Sequence, residues 1–448
     1  MIQKNDVIAA ITTPPGIGAI AVIRLCGKDA IELASKVFSG PVETYPTHTA
    51  HYGKILNREG ETIDHVLLLV MKGPKSYTGE DTVEISCHGG GLISRRVLER
   101  LYEVGARLAN PGEFSLRAFL NGKIDLAQAE AVQELISAKG SYALEQAKRQ
   151  LDGTLSQKIS KFQNELIQIG AILEAWVDFP EEDLAFASFQ EIVSSLRNIE
   201  GAMEKLASTF DDGRAIHEGI SLCLLGSPNV GKSSLMNALL GKERAIVTDI
   251  PGTTRDLLEE DFRLGGLHFR LMDTAGIRET EEVIEQEGIR RSEKAMQEAD
   301  LVLLLLDASR EMTENDRKLM EQIPCEKTLI VWNKIDIGKG NPAVSNLGIS
   351  AKNRLGLEEL TQAIEKKIWK KGPPEKDEIV ITNLRHFTAL KNATLALHET
   401  IVSLEKGVSA EFAASDMRLC LNELGSIMGS NVTEDLLSAI FSKFCVGK

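Results

Sequence analysis

The stretch ISLCLLGSPNVGKSSLMNALLG, residues 220–241, opens with an apolar run of strand type and closes with a helical pattern ended by Gly241. Between the two lies GxxxxGKS, supplied by Gly226, Gly231, Lys232 and Ser233. A chance glycine-rich turn would not come with both flanks. The strand-to-helix context predicts a phosphate-binding loop. Its glycines let backbone N–H groups curl around the β-phosphate, and the helix N-terminus adds a favourable dipole. Lys232 reaches the β- and γ-phosphates, and the Ser233 hydroxyl binds Mg2+.

Downstream residues choose the base. LHFRLMDTAG, 267–276, sets Asp273 at the end of a strand, where it holds magnesium through water, and Gly276 where its amide senses the γ-phosphate. TLIVWNKID, 328–336, again places polar groups after a strand: Asn333, Lys334 and Asp336. The Asp336 carboxylate accepts two hydrogen bonds from the N1–H and 2-amino group of guanine, whereas adenine offers neither and would leave a buried charge unpaired. ISAK, 349–352, closes over the base with backbone amides. Any one of these short motifs is weak alone. In this order and context they predict a Ras-like P-loop GTPase domain over residues 216–371, with GTP preferred to ATP.

The residue after DTAG is Ile277, where Ras-like switches carry a water-orienting Gln, so water must be activated in another way. TEEVIEQEG, 280–288, is rich in carboxylates, most of them ordinary solvated side chains and any of them able to orient the nucleophile. In IVTDIPGTTRD, 246–256, Thr253 or Thr254 can reach the metal. Asn229, inside the phosphate loop, offers an amide oxygen to a second, monovalent cation that would neutralise charge as an arginine finger does. Arg255 is the alternative for that role, with a surface ion pair as its plainer fate.

Helical patterns flank this domain. Leu155, Ile159, Phe162, Leu166, Ile169 and Leu173 recur at steps of four and three, the seam of a packed helix that Pro180 ends. A second helical reading runs to about 210. After the Pro-rich linker KKGPPEKDE, helical patterns resume over 383–407 and 416–444. Pattern alone leaves two arrangements open: one helical domain interrupted by the GTPase, or two separate bundles. The first 120 residues differ, with short β-type runs at 19–25, 64–71 and 81–90 around a helix at 91–105, a compact α/β module. PPGIGAIAVIRL lacks the third Gly of a dinucleotide fingerprint and runs into a strand. His88, beside Gly89, Gly90 and Gly91, reads as a polar turn histidine before a catalytic one. Glu113, Arg117 and Lys123, set among apolar residues, are candidates to line an anionic-ligand site or to form a solvated helix face.

Composition sets bounds. The 448 residues are 43% hydrophobic and 26% charged, enough for several domains with real cores. The longest apolar run, LVLLLL at 301–306, lies between Asp300 and Asp307 and suits a buried strand, not a membrane span. The N-terminus carries no secretion signal, so a cytoplasmic protein is expected. Cysteines at 26, 87, 223, 325, 420 and 445 have no CxxC and no regular spacing, which opposes a disulfide framework or zinc site. A net charge of −14 disfavours broad nucleic-acid binding, so any RNA contact needs a local basic patch.

TPPGIGAIAVIR, SYTGEDTVEISCHGG, NPGEFSLRAFLNGKIDLAQAEAV, TDIPGTTRD and the terminal FCVGK together resemble the MnmE, or TrmE, family of tRNA-modification GTPases across nearly the whole chain. The resemblance implies a folate-binding, dimerising α/β domain over 1–120, a helical domain from 121–215 and 372–448, and the GTPase inserted between those segments. It implies an activity: with an FAD-dependent partner, MnmG (GidA), in a heterotetramer or larger, an aminomethyl or carboxymethylaminomethyl group is added to C5 of the wobble uridine of certain tRNAs. The one-carbon unit comes from a tetrahydrofolate, the 5-formyl or 5,10-methylene derivative being the form bound. FAD belongs to the partner. Matching folate positions are Arg24, Glu84, Lys123 and Lys448. Matching potassium ligands are Asn229, Thr248, Ile250 and Thr253, and magnesium ligands Ser233 and Thr254. Glu285 matches the water-orienting acid, which with Lys232 and Cys445 makes the catalytic set. GTP or GDP contacts extend over Asn229, Val230, Gly231, Lys232, Ser233 and Ser234, then Thr248, Asp249, Ile250, Pro251, Gly252, Thr253 and Thr254. They continue over Asp273, Thr274, Ala275 and Gly276, then Asn333, Lys334, Ile335 and Asp336, and Ser350, Ala351 and Lys352. Family GTPase domains pair across a homodimer on binding K+, which ties hydrolysis to domain movement.

CVGK is a poor prenylation box, and by resemblance the tail packs at the folate site, with Cys445 near the one-carbon chemistry as nucleophile, proton shuttle or lining. One departure is Ser227, where the family commonly has Arg. Two rival classes stay in view. A GTP-controlled switch would have no use for folate, and a dynamin-like scaffold is opposed by the acidic balance and the lack of a basic amphipathic helix, so no membrane partner is expected.

Overall fold

The computed structural model describes residues 6–178, 188–241, 260–272, 294–369, 372–375, 378–408 and 410–448. The chain divides into two units, one of Met1–Gln133, Gln150–Gln163 and Leu424–Lys448, the other of Glu134–Arg149 and Asn164–Glu423.

The first unit is built on strands β1 (Ile8–Ile11), β2 (Ile20–Cys26), β3 (Thr49–Leu56), β4 (Thr62–Met71), β5 (Thr82–His88) and β6 (Arg107–Leu108), in sheet order β3-β4-β5-β2-β1-β6. All neighbours are antiparallel except β1 and β6. Period-2 alternation explains the layering. Val66, Leu68 and Val70 on β4, Val83, Ile85 and Cys87 on β5, and Ile23 and Leu25 on β2 point to one face. That face is covered by α1 (Ala30–Ser35) and α2 (Gly91–Glu103), whose Ala30, Ala34, Val97 and Leu101 join the same core. The alternate positions, Arg24 and Glu84 among them, are left on the opposite side. Helix α3 (Glu113–Leu120), most of α4 (Leu126–Ser137) and the start of α6 (Thr154–Asp178) complete this unit, whereas nearly all of α5 (Ser141–Leu151) and the rest of α6 belong to the second.

The second unit contains α7 (Phe189–Ala207), α8 (Phe210–Glu218), β7 (Ile220–Leu225), α9 (Lys232–Leu240), β8 (Glu260–Leu264), β9 (Leu267–Met272) and β10 (Leu301–Asp307). It continues with α10 (Glu314–Gln322), β11 (Thr328–Asn333), β12 (Gly348–Ile349), α11 (Leu357–Ile368), α12 (Leu384–Glu405) and most of α13 (Ala410–Met428). Its sheet runs β12-β11-β10-β7-β9-β8, parallel except for the β8 edge strand. The LVLLLL run is β10, an inner parallel strand buried along its whole length between two cores, as such strands must be. No helix among the described residues is long and apolar enough to cross a membrane.

Helices from both sides of the nucleotide fold pack together. Arg197 and Glu200 on α7 pair with Glu405 and His398 on α12. Glu174 on α6 bonds Arg418 on α13 at 2.8 Å, and all six stripe residues of α6 are buried. Of the two arrangements left open by pattern, the helices therefore take the interrupted one. Pro180 lies outside the described residues. The block 416–444 is two helices: Gly429 (φ +95°) and Asn431 (φ +62°) break it. The Thr433 hydroxyl then caps α14 (Glu434–Phe441) by accepting from Leu436 N–H. A Cβ on Gly429 would lie 2.6 Å from the Phe119 ring, so the turn needs glycine twice over.

Candidate functional site

Strand β7 delivers the chain into Gly226, whose φ of +149° and whose approach to the Leu305 carbonyl, 2.5 Å from where a Cβ would stand, exclude a side chain. Asn229 takes φ +62°, and Gly231, at φ +97°, caps α9, which has no acid in its first turn. The positive end of the helix dipole thus opens at the loop without a competing carboxylate in the first turn, an arrangement suited to an anion. Val230 is buried, so its side chain belongs to the core and only its backbone borders the loop, while Ser233 and Ser234 stand exposed at the start of α9. Lys232 folds back along the loop and donates to the carbonyls of Gly226 (2.8 Å) and Ser227 (3.1 Å).

The base-recognition segments are tied to that loop by one amide. Asn333, 2% exposed, donates from Nδ2 to the Val230 carbonyl (2.7 Å), and its Oδ1 accepts from the Ala351 N–H (3.0 Å). Ile335 N–H reaches the Ile349 carbonyl at 3.2 Å, and a pair of backbone bonds between Ser350 and Leu355 closes the ISAK loop. Lys334, in left-handed backbone at φ +67°, donates to Asp307 at 2.6 Å. Burial pushes the Asp307 carboxyl up, but the bonds from Lys334 and Ser309 outweigh it and hold it below the usual range. Asp336 and Lys352 are exposed. The structure thus brings Asn229 to Ser234, Asn333 to Asp336 and Ser350 to Lys352 into one site. Thr248 to Thr254, Asp273 to Gly276 and Glu285, with Arg255 and Ile277, lie outside the described residues. Sequence reading gave Asn333 no role beyond membership of its motif and missed Asp307 and Asp316. The Asp at the end of the apolar β10 run was the available signal.

In the first unit, Arg24 and Glu84 stand directly opposite each other on β2 and β5, with Arg24 Nε donating to Glu84 Oε1 at 2.9 Å. The guanidinium lies 5.4 Å from the Phe114 ring centre and 5.9 Å from that of Tyr77. The tail is laid against the same region. Phe114 N–H donates to the Lys448 carbonyl (3.1 Å) and Gly112 N–H to the Cys445 carbonyl (3.4 Å). Phe441 and Phe444 join Leu116, Leu126 and Ala129 in a small core. Burial, then the nearby Arg24 charge, lowers the Lys448 amine from its ordinary value. Lys123 donates to the Pro74 carbonyl at 3.0 Å, in the loop that also supplies Tyr77. Cys445 is an exposed free thiol, whereas Cys26 and Cys87 are buried and pushed up to about 11, and Cys420 to about 12, mainly by burial.

Glu113 and Arg117 do not line a ligand site. Arg117, 4% exposed, donates to Asp6, Glu80 and Glu113, and Glu113 also takes both terminal nitrogens of Arg107. Their charges are spent on one another. His88 projects into solvent at the end of β5, its Nδ1 held at 2.7 Å by Asp64, which also accepts the His88 N–H at 2.8 Å.

A parallel sheet whose first strand enters a GxxxxGKS loop, joined by a buried Asn to NKID and ISAK segments, defines a P-loop GTPase. The family model "GTP-binding protein TrmE N-terminus" matches residues 7–123, and "MnmE helical domain" matches residues 126–445. The "tRNA modification GTPase MnmE" of Protochlamydia amoebophila (strain UWE25) is 57% identical over 448 residues, covering 99% of this chain and 98% of that protein. That of Alkaliphilus oremlandii (strain OhILAs) is 41% identical over 458 residues, covering 99% of each. Among solved structures, Aquifex aeolicus Era bound to GDP.AlF4- is 27% identical over 40% of this chain and 66% of that chain, with a TM-score of 0.25. The chain belongs to the MnmE (TrmE) family of tRNA modification GTPases.

Proposed function

We propose that the chain hydrolyses GTP in a K+-dependent manner to drive modification of C5 of the wobble uridine of tRNA, as a homodimer working with an FAD-dependent flavoprotein in the cytoplasm. The observation that carries this reading is the Arg24–Glu84 pair with the Lys448 amine close enough to feel the Arg24 charge, in the same chain as a phosphate loop tied by Asn333 to an NKID segment. Residues 1–120 bind folate and dimerise, 121–215 and 372–448 form the helical domain, and 216–371 hydrolyse GTP.

Each residue then has a task. Lys232 sets a fixed positive charge against the β- and γ-phosphates, and Asp336 reads guanine. Ser233 and Thr254 would hold magnesium, and Asn229, Thr248, Ile250 and Thr253 potassium. The exposed Ser233 hydroxyl and the left-handed Asn229 suit those roles. The two cations supply positive charge where the transferring phosphoryl group gains negative charge. Glu285 orients the attacking water. In the first unit, Glu84 has one oxygen on Arg24 and offers the other to the amino and N–H donors of a pterin. Lys448 and Lys123 suit the carboxylates of a glutamate tail, since a carboxylate would restore the charged form that burial disfavours at Lys448.

Two experiments test this. GTP turnover should be faster in KCl than in NaCl at equal ionic strength, and the same sample should bind 5-formyl-tetrahydrofolate saturably. Salt-indifferent turnover without folate binding would leave only a GTP switch. Cys445→Ser should abolish tRNA modification and leave GTP turnover unchanged if the thiol takes part in the one-carbon step. Unchanged modification would reduce Cys445 to lining.

A further inference from the structure

The phosphate loop is also held from a side that none of the GTP motifs supplies. Ser227, the first residue past Gly226, is 4% exposed, donates its hydroxyl to Asp316 Oδ1 and accepts from Asn315 Nδ2 at 3.3 Å. Asp316 is 2% exposed and occupies the third position of α10. Its Oδ2 accepts from the Thr313 N–H (2.9 Å) and hydroxyl (2.8 Å), completing a capping box that fixes the carboxylate relative to the helix. Burial pushes this carboxyl up, yet the bonds from Ser227 and Thr313 hold it below the usual range, so it is an anion at neutral pH. Arg310 stands 3.8 Å from Asp316 and 3.7 Å from Asp307, and Asp307 receives Lys334. A chain of charged contacts therefore runs from the first turn of the phosphate loop to the base-recognition lysine.

Residue 227 is clamped twice, by its side chain to α10 and by its carbonyl to Lys232. The loop between β7 and α9 holds Gly226, Asn229 and Gly231 at positive φ, one well among several open to the two glycines and an uncommon one for Asn229. Ordering each such residue on ligand binding costs about 1–2 kcal/mol. An anchor that orders the loop beforehand removes part of that cost from binding.

We propose that Ser227 and Asp316 are positioning residues for nucleotide binding: the buried Asp316 carboxylate pins the point where the phosphate loop leaves β7, and Arg310 extends that restraint through Asp307 to Lys334. The proposal rests on the loop taking nucleotide phosphates. Because the restraint acts on the part of the loop that meets phosphates common to GDP and GTP, both should lose affinity by the same factor.

The test is fluorescence titration of the full chain with mant-GDP and mant-GTP, with melting temperature and steady-state GTP turnover on each variant. Ser227→Ala should raise both dissociation constants about tenfold, the scale of one hydrogen bond to a charged group. KM should rise with them, while kcat at saturating GTP stays within about twofold, the signature of lost uniform binding. Ser227→Thr keeps the hydroxyl and should recover most of the affinity. Arg310→Gln should cost about threefold, because its ion pairs are longer and its own side chain is partly exposed. Wild-type affinity in Ser227→Ala, whether or not the melting temperature falls, overturns the proposal and leaves the pair a stability contact. Failure of the unaltered chain to bind either nucleotide would instead overturn the nucleotide reading itself, and this proposal with it. Asp316→Ala should raise both dissociation constants at least as much as Ser227→Ala; if it does not fold, the two Ser227 variants decide the matter alone.

Discussion

Asn333→Ala is expected to weaken GDP and GTP binding by about a hundredfold, although its side chain bonds the two loops and not the nucleotide. One buried amide holds the Val230 carbonyl on the phosphate loop and the Ala351 N–H on the base-closing loop. Truncation leaves both backbone groups without that partner in a buried place, and each such loss costs about 1–3 kcal/mol. Two losses together reach a hundredfold, at about 1.4 kcal/mol per factor of ten. The amide also fills the space against Gly231, where a Cβ would lie only 2.3 Å from Nδ2, so removal opens a gap under the helix cap. Titration with mant-GDP, alongside the melting temperature, checks this. Near-native affinity would mean that the two loops hold their places without Asn333.

Arg117→Met is expected to destabilise the first unit by about 3–5 kcal/mol, the usual cost of removing one partner from a buried ionic network. Asp6, Glu80 and Glu113 all meet this guanidinium, and only Arg107 remains to compensate Asp6 and Glu113. The pH dependence has a definite sign. Burial works to raise Asp6 and Glu113, but their arginine partners prevail and hold both below their ordinary 3.8 and 4.5. Carboxyls depressed in the folded state stabilise it fully above those ordinary values, and the contribution is lost as pH falls through the lower folded ones. Urea melts of wild type and variant should therefore differ most near neutrality and converge in acid. A gap that stays constant to pH 3 would point to packing, not charge.

The nucleotide fold was legible because its signals are local. A buried parallel strand is an unbroken apolar run, and the phosphate loop is a fixed spacing of glycines before Lys232 and Ser233. The stripe on α6 was equally plain, since 3.6-residue periodicity is written in one segment. Residues that act through partners far along the chain were not legible. Ser227 and Asp316 are 89 residues apart, and neither type at its position announces the other. Glu113 and Arg117 read as either ligand groups or a solvated helix face and are neither, because charge among apolar residues reads alike whether it meets a substrate, water or a buried counter-ion. Their partners Asp6 and Glu80 lie on other segments. The break of the last helical block at Gly429 and Asn431 had a signal, the GS-N turn chemistry, that a periodicity count passes over.

The pairing of Gly112 and Phe114 with the carbonyls of Cys445 and Lys448 carries a consequence for how the chain is made. The N-terminal module emerges first from the ribosome, and domains commonly fold in that order. Here the segment Leu424–Lys448 belongs to the first unit, so that unit cannot finish until more than 300 further residues have been synthesised. Its core and the Arg24–Glu84 pair can form early, but the wall that Phe441 and Phe444 add arrives only once residues 441–444 have been made. A nascent chain stalled after residue 371 would hold the nucleotide-fold segment while the first unit still lacks the Phe441 and Phe444 wall and the partners of the Gly112 and Phe114 N–H groups.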